Sequence, residues 1–152
     1  MINLWYLRDP IADLFCTPEI TLQKRATNES EQLLNCLKEN GYRTAIASSS
    51  TRDRAMKIFH QHDIDGCFDV FVFAEDITKG KPDPEIFLKA AERLDSDPSE
   101  CLVLEDSESG ILTTHRAGMR VICIPDMKTP ADDYLKLTLA VCSDLNEVLS
   151  CI

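Results

Sequence analysis

The chain has 152 residues, 44% of them hydrophobic, which suffices for one globular domain burying roughly 68–70% of the surface its unfolded chain would expose. A formal charge of −10 and a pI near 4.7, with Lys and Arg scattered along the chain, give no broad positive field for a polyanion and exclude nucleic acid as the expected partner. No apolar run approaches the ~20 residues of a membrane span, and the opening MINLWYLRDP lacks the basic lead and long apolar core of a signal peptide, so a soluble, cytoplasmic protein away from membranes is expected.

In chain order, NESEQLLNCLKENG is predicted to be a helix. Leu33, Leu34 and Leu37 recur at helical spacing, Asn28 or Ser30 is available as N-cap, and Gly41 marks the stop. The short apolar run RTAIAS follows as a strand and ends in the serines Ser48, Ser49 and Ser50. TRDRAMKIFHQHDI spaces Ala55, Met56 and Phe59 as a helix, and CFDVFVFA is β-branched and aromatic like a strand. DPEIFLKAAERL puts Ile86, Phe87, Ala90, Ala91 and Leu94 on one face, with Asp83 as N-cap and Pro84 at the first helical position. The strand CLVLE, the helix SESGILTTHRAG, the strand MRVICIP and the helix SDLNEVLS complete the series. Unbroken apolar strands alternating with helices imply an α/β fold: a three-layer, mostly parallel, Rossmann-like sheet with helices on both faces.

The seven cysteines, Cys16, Cys36, Cys67, Cys101, Cys123, Cys142 and Cys151, are odd in number and contain no C-x-x-C pair. Several sit in apolar runs, which reads as buried free thiols in a reducing compartment. His60 and His62 point to different faces of one helix, and neither they nor His115 have ligand partners at metal-binding spacing.

Ligands of such folds sit outside the carboxyl ends of the strands. Three of those ends carry chemistry here: Ser48 to Ser50, then EDITKGKPDP with Lys81, then Glu105 and Asp106. Hydroxyls at a helix N-terminus, a lysine and an acidic pair at one sheet edge suit a phosphate and a divalent cation. Lys81 lies between Gly80 and Pro82 on a stiffened loop, and two adjacent carboxylates leaving a buried strand repel unless a cation or hydrogen bonds compensate. Ser48 and Asp106 would also serve as helix caps, the role expected of Ser50, Thr51 and Ser107. A dinucleotide site lacks its glycine-rich turn.

These residues resemble the haloacid dehalogenase superfamily of phosphohydrolases and phosphomutases, in its β-phosphoglucomutase-like group. IASSS is similar to the second motif of that family, GKPDPEIF to the third and LEDSESG to the fourth, over about Ser30 to Ile124. The resemblance implies that Ser48, with the amide of Ser49, binds the phosphoryl group of a small phosphorylated metabolite such as a sugar phosphate. It gives Lys81 a catalytic role in offsetting negative charge, and makes Glu105 and Asp106 the ligands of Mg2+.

The same family uses an Asp-x-Asp first motif as nucleophile and acid–base, and no Asp-x-Asp precedes Ser48. Asp9 and Asp13 are the nearest candidates, at the wrong spacing. Residues 1–27 are therefore expected to be an atypical segment, a cap remnant or its replacement, and residues 28–152 the core domain. Without a first strand the sheet would be incomplete, offering an uncovered edge for self-association unless INLWYL fills the slot. The expectation is a magnesium-dependent phosphatase or phosphomutase domain that is inactive in this chain, or a non-catalytic relative of the same fold that binds phosphate or magnesium or serves protein interaction.

Overall fold

The computed structural model describes residues 3–6, 32–61, 65–126 and 128–151. Strands β1 (Asn3–Tyr6), β2 (Thr44–Ala47), β3 (Val70–Val72), β4 (Cys101–Glu105), β5 (Arg120–Cys123) and β6 (Ala140–Val141) form one sheet in the order β3-β2-β1-β4-β5-β6. Neighbouring strands are parallel throughout. The helices are α1 over residues 32–39, α2 (Arg52–Gln61), α3 (Glu85–Arg93), α4 (Glu108–Arg116), α5 (Asp132–Leu135) and α6 (Leu145–Val148).

Side-chain alternation along the strands makes the three layers. Ala45, Ala47, Val72, Cys101 and Val103 face α3, and Val121 and Cys123 on the same side face Ile111 of α4. The residues between them point the other way. Ile46 packs with Leu34 of α1 and Ala55 and Phe59 of α2, while Leu102, Leu104 and Ile122 meet Leu33 and Leu37 of α1 and Leu145 and Val148 of α6. Both faces of the sheet are thus covered, which explains why β2 and β4 are mostly apolar without alternation and buried at every position, Thr44 and Glu105 included.

The central position belongs to β1, one of the alternatives the sequence left open. Its backbone pairs with β2 on one side and β4 on the other, and the sheet edges are β3 and β6. Asn3–Tyr6, inside the expected atypical segment, therefore belongs to the core sheet. The remainder of that segment, including Asp9, Asp13, Cys16 and the expected cap remnant, lies outside the described residues, as do Asn28, Ser30 and His62.

Element ends follow local chemistry. Gly41 adopts φ +75° behind α1, where the Tyr42 amide reaches back to the Leu37 carbonyl at 2.9 Å. Helix α3 starts one residue later than predicted: Pro84 takes the N-cap position, and Asp83 still accepts from the Glu85 amide at 3.0 Å. Ser107 caps α4 by accepting from the Gly110 amide at 3.1 Å. The one-turn helix α5 and the two-residue strand β6 escape the sequence reading, because neither is long enough to establish a period.

Candidate phosphate and metal site

Strand register decides what meets at the carboxyl edge. Trp5 of β1 is level with Ala45 of β2 and with Val103 of β4, so Ser48 and Asp106, each three residues further on, lie at the same height on either side of β1. Two inter-strand spacings separate their backbones by about 10 Å. Ser48 is buried, its amide donates to the Val72 carbonyl at 2.9 Å, and its Oγ accepts from the Ser50 amide at 3.1 Å. In that role the hydroxyl still carries a proton to donate. Ser49, next in line, is exposed.

Lys81 reaches into the edge from the loop before α3. Its Nζ lies 2.5 Å from Glu105 Oε1, with the side chains 17% and 2% exposed, and 5.0 Å from the centre of the Phe87 ring. The other Glu105 oxygen, Oε2, accepts from the Ser107 hydroxyl at 3.0 Å. Gly110 makes room for this carboxylate: a Cβ there would stand 1.8 Å from Glu105 Cδ. Glu105 is therefore engaged on both oxygens, a buried carboxylate paired with a cation and a hydroxyl.

Asp106 differs from its neighbour. Burial, and then repulsion from Glu105, push its carboxyl up to about 6, with Asp126 in the loop after β5 adding and Lys81 opposing. The same two carboxylates reinforce burial at Cys123, whose thiol is pushed up to about 11. A carboxylate whose ionised form is held at such disadvantage is one that a cation would relieve, so the donor chemistry fits a hard divalent ion in part. Among the described residues no group of three His, Cys, Asp or Glu side chains stands ready to hold a metal. His60 pairs with Asp65 at 3.1 Å, and His115 is exposed on α4.

The loop that carries Lys81 is tied down by residues that sequence reasoning missed. Glu85, in the first turn of α3, accepts from the amides of Thr78 at 2.9 Å and Lys79 at 2.7 Å and from the Thr78 hydroxyl at 2.9 Å. Those bonds hold its carboxyl below the usual carboxylate range. Arg116, at the end of α4, donates to the Pro82 carbonyl at 3.0 Å. The Ser48 side is braced by Glu75, whose two oxygens accept from the Arg52 amide at 3.0 and 3.1 Å and so cap α2 from outside, beside the expected Ser50 and Thr51. Asp76 ties the same corner together: Arg93 at 2.6 Å and the Phe73 amide at 2.8 Å lower its carboxyl to about 2. An acidic residue at a helix start signals such a role, but its target in another segment carries no mark in the sequence.

Comparison with known proteins identifies the family. The profile of the haloacid dehalogenase-like hydrolases matches residues 11–118. A bifunctional riboflavin kinase/FMN phosphatase of Arabidopsis thaliana is 38% identical over 119 residues, covering 74% of this chain and 31% of that protein. A β-phosphoglucomutase of Bacillus subtilis (strain 168) is 42% identical over 88 residues, 58% of this chain and 38% of its own length. The chain thus spans about a third of these curated relatives. The crystal structure of β-phosphoglucomutase from Clostridium difficile superposes with a TM-score of 0.69 at 28% identity, over 79% of this chain and 51% of that one. With a matching profile, ordered motifs and a shared fold, the chain belongs to the haloacid dehalogenase-like hydrolases, in their β-phosphoglucomutase-like group.

Proposed function

We propose that this chain carries the phosphate- and magnesium-binding walls of a phosphohydrolase or phosphomutase site for a small phosphorylated metabolite, a sugar phosphate or a similar phosphate ester. The observation that carries the reading is the pairing of half-buried Lys81 with buried Glu105 at the sheet edge that also holds Ser48 and Asp106. One ammonium proton held by Glu105 fixes the direction of Lys81 and leaves the others for an anion. Ser48, with the Ser49 amide, contacts the phosphoryl oxygens from the opposite side. Asp106 is the residue to contact Mg2+, and Glu105, the second expected ligand, acts through Lys81. Bound magnesium would screen the negative charge of the phosphoryl oxygens from Asp106 and Glu105. The relatives' names support the substrate class, since both FMN phosphatase and β-phosphoglucomutase denote work on phosphate esters. Free thiols on the described cysteines agree with a reducing, cytoplasmic setting.

Turnover is a separate matter. Phosphoryl transfer of this kind needs an attacking carboxylate, and positioned cations do not replace one. With no Asp-x-Asp ahead of Ser48, this chain by itself binds but turns over negligibly, which also supports a second reading as a non-catalytic binding relative. Loss of a nucleophile in other covalent enzymes costs on the order of 10⁶-fold. The test is hydrolysis of a generic aryl phosphate with magnesium by the purified chain and its Asp9→Asn, Asp13→Asn and Asp106→Asn variants. The expected result is no measurable turnover in any of them; robust turnover abolished by Asp9→Asn or Asp13→Asn would show a rearranged nucleophile and overturn the binding-only reading.

A further inference from the structure

The end of the fold brings two thiols together. Cys142 follows the edge strand β6 and is 1% exposed, its amide held by the Cys123 carbonyl at 2.8 Å. Nine residues later, Cys151 is exposed. Between them Asp144 caps α6, accepting from the Asn146 and Glu147 amides at 2.9 and 3.0 Å, and the turn closes as the Cys151 amide donates to the Val148 carbonyl at 2.8 Å. The chain therefore folds back on itself and leaves the two Sγ atoms 3.9 Å apart. A disulfide needs about 2.05 Å, so closure brings the two sulfurs about 1.9 Å nearer than they stand.

We propose that Cys142 and Cys151 form a reversible dithiol–disulfide site that reacts with low-molecular-weight disulfides of the glutathione type. The Cys151 thiolate attacks one sulfur of the disulfide, forming a mixed disulfide and releasing one thiolate. Cys142, losing its proton to solvent, then attacks the Cys151 sulfur, forms the intramolecular bond and expels the second thiolate. The two cysteine sulfurs are oxidised, one external disulfide is reduced to two thiols, and the two protons given up by the cysteines end on the products. Exposure decides the order, because an external reagent reaches Cys151 and not Cys142. Burial, together with the neighbouring Cys151 sulfur and the Glu147 and Asp144 carboxylates, pushes the Cys142 thiol up to about 12, which agrees with Cys151 reacting first.

The product staples α6 to the sheet. Leu145 and Val148 of that helix pack against Leu102 and Leu104, so closing this short loop should raise the melting temperature by about 5–10 °C. The site stands apart from the phosphate reading and does not depend on it.

The experiment treats the full chain with oxidised glutathione, alkylates remaining thiols under denaturing conditions and digests with trypsin. No Lys or Arg follows Lys136, so both cysteines fall on the peptide 137–152. The expected peptide is unalkylated, free of glutathione and lighter by two hydrogens, with a raised melting temperature that dithiothreitol reverses. Cys142→Ser should instead trap glutathione on Cys151, and Cys151→Ser should leave Cys142 alkylatable and the melting temperature unchanged. A wild-type chain that accumulates the glutathione adduct, cross-links between molecules through Cys151, or keeps both thiols alkylatable would overturn the proposal. Cys142→Ala, which keeps the buried position apolar, separates a loss of the site from a loss of folding.

Discussion

A carboxylate as deeply buried as Glu105 persists only with partners on both oxygens, and Lys81 and Ser107 are those partners. Its fit also requires that nothing project from Gly110. An alanine in a helix is ordinarily favoured over glycine by about 0.5–1 kcal/mol, but here the new methyl group must displace Glu105. Gly110→Ala is therefore expected to destabilise the fold by about 1–3 kcal/mol in chemical denaturation and to weaken phosphate binding through a misplaced Lys81. Asp106 has the opposite character. Its carboxyl is raised to about 6 against an ordinary 3.8, so the folded state holds its proton longer than the unfolded chain does. Its favourable contribution is complete below pH 3.8 and is lost as pH rises through 6. Asp106→Asn should thus stabilise the metal-free protein at pH 7.5 by about 1–2 kcal/mol while abolishing any response to magnesium. Unchanged stability together with an unchanged magnesium response would remove Asp106 from the site.

The elements beside the site are held by acidic side chains that reach across to other segments. Glu85 joins α3 to the lysine loop, so Glu85→Ala should speed hydrogen exchange at the Thr78 and Lys79 amides and reduce the phosphate response with little change elsewhere. Asp76 joins the end of β3 to Arg93 of α3 and, more loosely, to Arg52 of α2 at 3.5 Å. Its lowered carboxyl stabilises the fold above pH 3.8, and that support disappears as pH falls through about 2. Asp76→Asn should accordingly cost about 1–2 kcal/mol at pH 7, after allowance for solvent screening, and less with each step down in pH below 4. Strands such as CLVLE and helices such as EIFLKAAER were legible because burial on both faces leaves an unbroken apolar run, and burial on one face writes a helical period into the sequence. Helix α5 and strand β6 were not, and neither were Gly110, Ser107's bond to Glu105, Glu75 and Glu85. Each of those roles depends on what another segment brings into contact, which local spacing does not encode.

At the scale of the whole molecule, the parallel order β3-β2-β1-β4-β5-β6 brings distant stretches of sequence to one edge. Ser48 and Asp106, separated by more than a third of the chain, come level because both β2 and β4 register against β1. The motif residues could be picked out before the fold was known, whereas the central place of Asn3–Tyr6 depended on pairing partners far along the chain. That Ser48, Lys81 and Asp106 act as one phosphate and cation site is tested most directly by the melting temperature in inorganic phosphate with magnesium, measured on the wild type, Lys81→Ala and Asp106→Asn. Because Lys81→Ala leaves Glu105 buried and unpaired, the quantity to compare is each protein's shift on adding ligand rather than its absolute melting temperature. At tenfold the dissociation constant, the wild type should gain about 3–6 °C and both variants should lose most of that gain. A full shift retained in both variants would contradict the site.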